Sequence, residues 1–144
     1  MLKYDGLRGN VEVREHHSEL LSDNPRGDSC DRKVAVWTPP GYGETQDRYP
    51  VLVYLAAYTS SGLKSLNWDG FTENLPERLD RLVGTGEMKP AIVVMPDGFT
   101  ALGGNQYIDS PAVGPWASYL TQELVPWIDQ QFRTLPGRNH RGLF

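Results

Sequence analysis

The chemistry open to this chain depends first on its nucleophiles and on the bases that could activate them. Serine attacks a carbonyl only when a neighbouring base takes its proton, and many hydrolases hold it in a Gly-x-Ser-x-Gly turn between a strand and a helix. Serines stand at positions 18, 22, 29, 60, 61, 65, 110 and 118, and none has glycine both two residues before and two residues after. The candidate bases are His16, His17 and His140. His16 and His17 are adjacent in a segment that reads as an edge strand, so their side chains project to opposite faces and do not grip one ion together. Both are expected at the surface. The single cysteine, Cys30, forms no internal disulfide, and one thiol with three scattered histidines makes no zinc pattern. Neither a metal nor a cofactor is expected. Asp97, in the run MPDG, sits at a strand end, where its carboxylate is expected to brace a turn.

Positioning any of these groups requires a scaffold, and the hydrophobic pattern outlines one. Val11 and Val13 alternate with polar residues, and Val34-Ala35-Val36-Trp37 reads as a second half-buried strand, predicting an antiparallel pair. Between them, Ser22 to Arg32 concentrates the turn formers Asp, Asn, Ser, Pro and Gly, predicting a surface loop. A second cluster of breakers, Thr38 to Tyr49, leads to the apolar run Pro50 to Leu55. That run and Ala91 to Met95 are continuously apolar, as in parallel strands covered on both faces. Between them Asn74 can cap a helix with Glu77 three residues later, while Leu75, Leu79, Leu82 and Val83 share one face and Gly84 and Gly86 end it. Strand, helix, strand in this order predicts a right-handed crossover. Trp116, Leu120, Leu124, Trp127 and Ile128 mark a further helix over 116–132, with a bend expected at Pro126. Arg141 to Phe144 reads as a strand cut short.

Composition narrows the function classes. A formal net charge of -4 leaves no excess of positive charge to neutralise nucleic-acid phosphates or anionic lipid, so neither nucleic acid nor membrane is an expected partner. The longest apolar stretch, Val51 to Tyr58, is far below the roughly 20 helical residues that cross a bilayer. The N-terminus, MLKYDGLRGNVEVREHH, lacks the apolar core of a signal peptide. With the lone cysteine this makes a cytoplasmic location the expectation, unless a leader precedes Met1. Composition specifies no oligomeric state.

Three blocks, taken in order and spacing, carry a resemblance: Tyr49 to Gly62 (YPVLVYLAAYTSSG), Lys89 to Gly98 (KPAIVVMPDG) and Tyr119 to Thr134 (YLTQELVPWIDQQFRT). Together they resemble the putative-esterase family of α/β-hydrolases, similar to S-formylglutathione hydrolases, feruloyl and enterochelin esterases and mycolyltransferases. The resemblance runs from about Val34 to Phe144. It implies an α/β fold in which residues 1–144 form a single partial domain, the N-terminal part of an α/β-hydrolase. Antiparallel first strands would lead into a parallel sheet with crossover helices, truncated before the nucleophile elbow.

By position in the first block, the resemblance implies that the backbone amide of Tyr58 contributes to an oxyanion hole. A fixed N–H aimed at the oxygen of the tetrahedral intermediate is worth roughly 3 kcal/mol. Similar proteins commonly read His-Gly or Asp-Gly where this chain has Ala56-Ala57, and glycine there permits backbone angles that alanine resists. Ala57, Thr59, Trp68 and Asn105 are the expected substrate contacts, because ligands of open α/β sheets bind beyond the carboxyl ends of the strands. The resemblance implies a serine carboxylic-ester hydrolase working through an acyl-enzyme on a small-molecule ester. Its serine, acid and histidine are expected outside this chain, which alone is expected to be inactive. The alternatives are an acyltransferase or thioester hydrolase of the same fold, or a non-catalytic binding or assembly module.

Overall fold

The computed structural model describes residues 3–144. Its first strand, β1 (Asn10–His17), pairs antiparallel with β2 (Asp31–Thr38), with Asn10 opposite Thr38 and His17 opposite Asp31. Beyond a linker comes β3 (Val51–Val53), then helix α1 (Leu75–Gly84) and β4 (Ile92–Pro96). A small ribbon of β5 (Asp109–Ser110) and β6 (Gly114–Pro115) precedes helix α2 (Trp116–Ser118), which continues into α3 (Val125–Gln131), and β7 (Arg141–Leu143) closes the order. The main sheet runs β1-β2-β4-β3-β7. β2 and β4 are antiparallel, whereas β3 lies parallel to both β4 and β7. The expected change from antiparallel to parallel pairing is present, and it falls between β2 and β3, on either side of β4. Among the described residues no helix is long and apolar enough to cross a membrane.

Alternation along each strand separates two packed layers. Val34 and Val36 of β2, Val51 and Val53 of β3, and Ile92 and Val94 of β4 face one side, where they meet Trp116, Leu120, Leu124 and Ile128. Ala35, Trp37, Val93 and Met95 face the other, against Leu79 of α1. β2 therefore differs from the half-buried strand its sequence suggested: Val34 to Trp37 are all buried, because a helix covers each face. The period-2 pattern was real, but it separated two apolar surfaces rather than core from solvent.

Helix α1 begins as its sequence predicts. The Asn74 side chain accepts from the Glu77 amide at 2.9 Å, and the Glu77 carboxylate accepts from the Asn74 amide at 3.0 Å, completing a capping box. Pro76 occupies the first turn, where its missing N–H costs no helical bond. The second helix holds a surprise at its middle. Tyr119–Leu124 is π-helical, with the Val125 amide bonded to the Leu120 carbonyl, and Pro126 follows at the start of α3. Proline cannot donate and its ring crowds the carbonyl four residues earlier, so the wider turn just ahead of it accommodates the residue that was expected to bend the helix.

Two buried polar residues tie this framework together. Asp80, 6% exposed on α1, accepts from the Trp37 indole at 2.9 Å and from the Gly9 amide at 2.8 Å, joining helix, sheet and N-terminal segment at one oxygen. His16 corrects the expectation of two surface histidines. It is 8% exposed and sits against the rings of Tyr119 and Trp127, with centroids at 5.8 and 5.0 Å. Its neighbour His17, on the opposite face, remains exposed.

Replacing Asp80 by leucine removes the acceptor of two donors and is expected to lower unfolding stability by about 2–4 kcal/mol, with Asp80→Asn, which keeps an oxygen, losing less than half as much. Urea unfolding midpoints at constant slope measure both. His16 supplies a pH prediction. Burial holds its pKa below the ordinary imidazole value, with Glu123 opposing and His17 reinforcing the shift. Below about pH 6.5 the unfolded chain therefore binds a proton that the native state refuses. Stability is expected to fall as pH drops through that value toward the lower native pKa. His16→Phe should flatten the loss between pH 7.5 and 5.5 in the same unfolding experiment.

Candidate active site

Because β3 and β4 are parallel, the loops that follow them leave the sheet at the same edge. The first begins at Leu55, whose amide still donates to the Phe144 carbonyl at 2.8 Å, and continues through buried Ala56 to exposed Ala57, Tyr58 and Thr59. The Thr59 amide is spent on the Gly103 carbonyl at 2.7 Å and the Ser60 amide on the Ala57 carbonyl at 3.0 Å. Among the described residues the amides of Ala56, Ala57 and Tyr58 find no acceptor. Gly62, just beyond, is buried where a Cβ would collide with the Met95 carbonyl, so the loop returns tightly over the end of β4.

The second loop follows β4 and is held from within. Buried Arg32 donates to the carbonyls of Ser29 at 3.2 Å and Asp97 at 3.1 Å and also to that of Phe99, while its guanidinium lies 5.1 Å from the Trp116 ring centroid. The Asp97 carboxylate stands 3.4 Å from the same guanidinium and accepts from the Phe99 amide at 2.9 Å. This is the turn-bracing role expected of it. Thr100, also buried, accepts from the Leu102 and Gly104 amides, both at 3.2 Å.

Contacts between the two loops are specific. The Tyr107 hydroxyl donates to the Ala56 carbonyl at 2.7 Å, and burial pushes its pKa above the ordinary phenol value, keeping the proton in place. Gly103 has φ 86°, a left-handed conformation that favours glycine, and a Cβ there would press to 3.1 Å of the Tyr58 ring. Among the described residues, the two non-glycine positions with left-handed backbone are Thr59 (φ 62°) and Tyr107 (φ 54°), one in each loop. Such strain persists where surrounding bonds over-determine the backbone, and it gathers at functional sites.

Between the loops lies a cavity of about 390 Å³ with largely apolar walls from Tyr58, Leu102, Ile108 and Val113, and with Asn105 and Ser110 as polar points. Its volume suits a small organic ligand. The structure thus brings Tyr58 and Asn105 together, with Ala57 and Thr59 flanking Tyr58 in the loop. The Asn105 amide is engaged at both ends, donating to the Gly98 carbonyl at 2.7 Å and accepting from the Tyr107 amide at 2.6 Å. Trp68 lies outside this cavity, exposed, with the Lys3 ammonium 4.9 Å from its ring centroid. Sequence reasoning missed Leu102, Ile108 and Val113 as cavity walls. The available signal was Gly103-Gly104, a pair that lets a loop fold back over its neighbour.

No serine hydroxyl is hydrogen-bonded to a histidine among the described residues. Ser18, nearest in sequence to His16, instead donates to the Glu123 carboxylate. His140 is exposed in a short turn before β7.

The model of the Esterase family, described as "Putative esterase", matches residues 28–144. The chain belongs to this family. Solved structures agree with an esterase-family fold. A ferulic acid esterase superposes with a TM-score of 0.75 at 22% identity, covering 96% of this chain and 50% of its own. The ferulic acid esterase from Anaeromyces mucronatus, determined in complex with ferulic acid, gives 0.68 at 23% identity over 99% of this chain and 50% of its own. S-formylglutathione hydrolase from Agrobacterium tumefaciens gives 0.62 at 21% identity over 100% and 51%. The chain spans about half the length of these structures. Its sheet, antiparallel at β1-β2-β4 and parallel at β4-β3-β7 and packed between helices, is the mixed α/β fold that these structures share.

Thr59 offers a direct test of the strained loop. Glycine at this exposed position relieves a left-handed β-branched residue, so Thr59→Gly is expected to raise stability by about 1 kcal/mol, whereas Thr59→Val should not. Guanidinium unfolding of the three proteins distinguishes these outcomes.

Proposed function

We propose that this chain supplies the N-terminal scaffold and one oxyanion-hole donor of a serine carboxylic-ester hydrolase that works through an acyl-enzyme. The observation that carries this reading is the Tyr58 amide, unpartnered among the described residues, at the rim of an apolar cavity just past β3 of an esterase-family sheet. In the proposed reaction the serine oxygen attacks the ester carbonyl and a histidine takes the serine proton. The resulting oxyanion is held by the Tyr58 N–H together with a second donor beside the nucleophile. Collapse releases the alcohol and leaves an acyl-serine, which water then cleaves by the same route. Serine, acid and histidine come from residues outside these 144, a reading supported by the chain's spanning half the length of its structural neighbours.

Cavity chemistry supports a small-molecule ester with an apolar acyl group. Apolar walls would stabilise the acyl moiety, while Ala57, Thr59 and Ser110 offer polar backbone or hydroxyl contacts near its carbonyl end. Trp68 would contact substrate only where the ligand extends beyond the cavity. Asn105 acts in this scheme mainly by shaping the wall, since its own amide is occupied.

The purified 144-residue chain is expected to leave p-nitrophenyl acetate intact. A longer coding product with an in-frame Gly-x-Ser-x-Gly beyond Phe144 is expected to hydrolyse it and to be labelled by a serine-reactive phosphonate. In that product, Tyr58→Pro, which deletes the donor, should lower kcat by about 10²–10³ with little change in KM. Phosphonate-sensitive turnover by the 144-residue chain itself would overturn the proposal.

A further inference from the structure

On the far side of β1 from His16, three different ligand types meet. His17 and Asp31 are cross-strand partners at the end of the β1-β2 pair, and Cys30 precedes Asp31. The His17 Nδ1 lies 2.6 Å from the Asp31 Oδ1 and 3.9 Å from the Cys30 Sγ, and all three ligand atoms fall within 4.8 Å of one another. On its other nitrogen, Nε2, the same imidazole faces the Glu19 carboxylate at 3.5 Å. Thiol and carboxylate thus converge on one ring nitrogen. A nucleophilic relay would need them on opposite nitrogens, so the arrangement is not that of a cysteine–histidine–aspartate catalytic group.

It matches the requirements of a metal instead. We propose that His17 Nδ1, Cys30 Sγ and Asp31 Oδ1 form a surface site for a borderline-soft divalent cation of the zinc class, with solvent as fourth ligand. Zinc takes nitrogen, sulfur and oxygen at about 2.0–2.3 Å in a tetrahedron, which sets ligand-to-ligand separations near 3.3–3.6 Å. Reaching that geometry from the present one asks only that the histidine and carboxylate part by about 0.7 Å and that the thiol close in on both, by no more than about 1.5 Å. The ligating side chains stand at a strand end, and those of His17 and Asp31 are more than half exposed, so they can move. Metal binding would displace the Nδ1 proton that now bonds Asp31, and Glu19, facing Nε2, is placed to be the outer carboxylate that holds the remaining ring proton there. A thiolate and an imidazole in the donor set disfavour calcium and magnesium, which select oxygen. On binding, the thiol S–H and imidazole Nδ1–H bonds break and metal–sulfur and metal–nitrogen bonds form; the thiol proton passes to solvent, and the Nδ1 proton moves through solvent to Nε2 or, from the charged ring, is released with it.

Tag-free protein, kept reduced with a non-chelating phosphine, tests this by titration with Co²⁺ as the spectroscopic substitute and Zn²⁺ as competitor. One equivalent of Co²⁺ is expected to bind, with a sulfur-to-cobalt charge-transfer band that Zn²⁺ displaces. The band should vanish in Cys30→Ser, while affinity falls at least about tenfold in His17→Ala and Asp31→Asn and about tenfold in Glu19→Gln with the band retained. Circular dichroism of each variant establishes that the fold persists, as expected for exposed positions. Absence of the band at cobalt saturation overturns the site, as does Co²⁺ affinity left unchanged by Cys30→Ser or His17→Ala.

Discussion

Every side chain of β4 from Ile92 to Pro96 is buried, and much of the remaining architecture follows from that constraint. A strand apolar on both sides needs cover on both sides. It receives β2 and β3 as edge neighbours, with α1 packed on one face and the helix from Trp116 to Gln131 on the other. Covering α1's face from within the chain demands a strand-helix-strand crossover, and a crossover makes β3 and β4 parallel. Parallel strands end on the same side. The loop carrying Tyr58 and the loop carrying Asn105 meet for that reason, and the cavity between them is a topological consequence of burying β4 rather than a separate invention.

Topology brings the loops together, but it does not set their conformation. That depends on Arg32, a buried cation whose charge is offset by the carbonyl oxygens of Ser29, Asp97 and Phe99 and by the Asp97 carboxylate. A guanidinium suits this position because its planar fork can satisfy several acceptors at once, which a lysine ammonium on its flexible stem does less well. From this anchor the constraint passes outward. Asp97 fixes the start of the second loop, Thr100 its bend, and the Tyr107 hydroxyl reaches across to Ala56 in the first loop. Left-handed backbone at Thr59 and Tyr107 is sustained at the two points where the loops grip each other.

Much of this framework was legible in the sequence, and the legible parts share a cause. Strands β1 to β4 and both helices announce themselves through local periodicity, and α1 through its Asn74-Glu77 cap, because these signals are written within one element. What escaped depends on contacts between elements. Burial of His16 requires Tyr119 and Trp127, more than a hundred residues away, and Asp80 becomes buried only because Trp37 and Gly9 supply donors. The gathering of His17 with Cys30 and Asp31 arises from cross-strand register, which no spacing rule for contiguous ligands would reveal. The position of the candidate site followed from strand order, whereas its walls did not: Leu102, Ile108 and Val113 look like ordinary loop residues until Gly103 and Gly104 turn the chain back.

Substituting Ala56-Ala57 for the glycine-containing pair common in similar proteins would be damaging if the proposed oxyanion donor relied on glycine's conformational freedom at those positions. The backbone places the strain elsewhere. Ala56 and Ala57 do not have positive φ, and the left-handed conformation falls on Thr59, one residue beyond the proposed donor. An N–H group is the same donor on any residue except proline, so what matters is its direction and its lack of an internal partner. The neighbouring amides of Thr59 and Ser60 are already committed to Gly103 and Ala57. The loop therefore concentrates its conformational cost at a residue whose amide is spent, while the amide of Tyr58 stays available beside the cavity. Under the proposed function, such a donor would need no reorganisation as charge develops on a bound carbonyl, which is the condition under which a single hydrogen bond contributes most to catalysis.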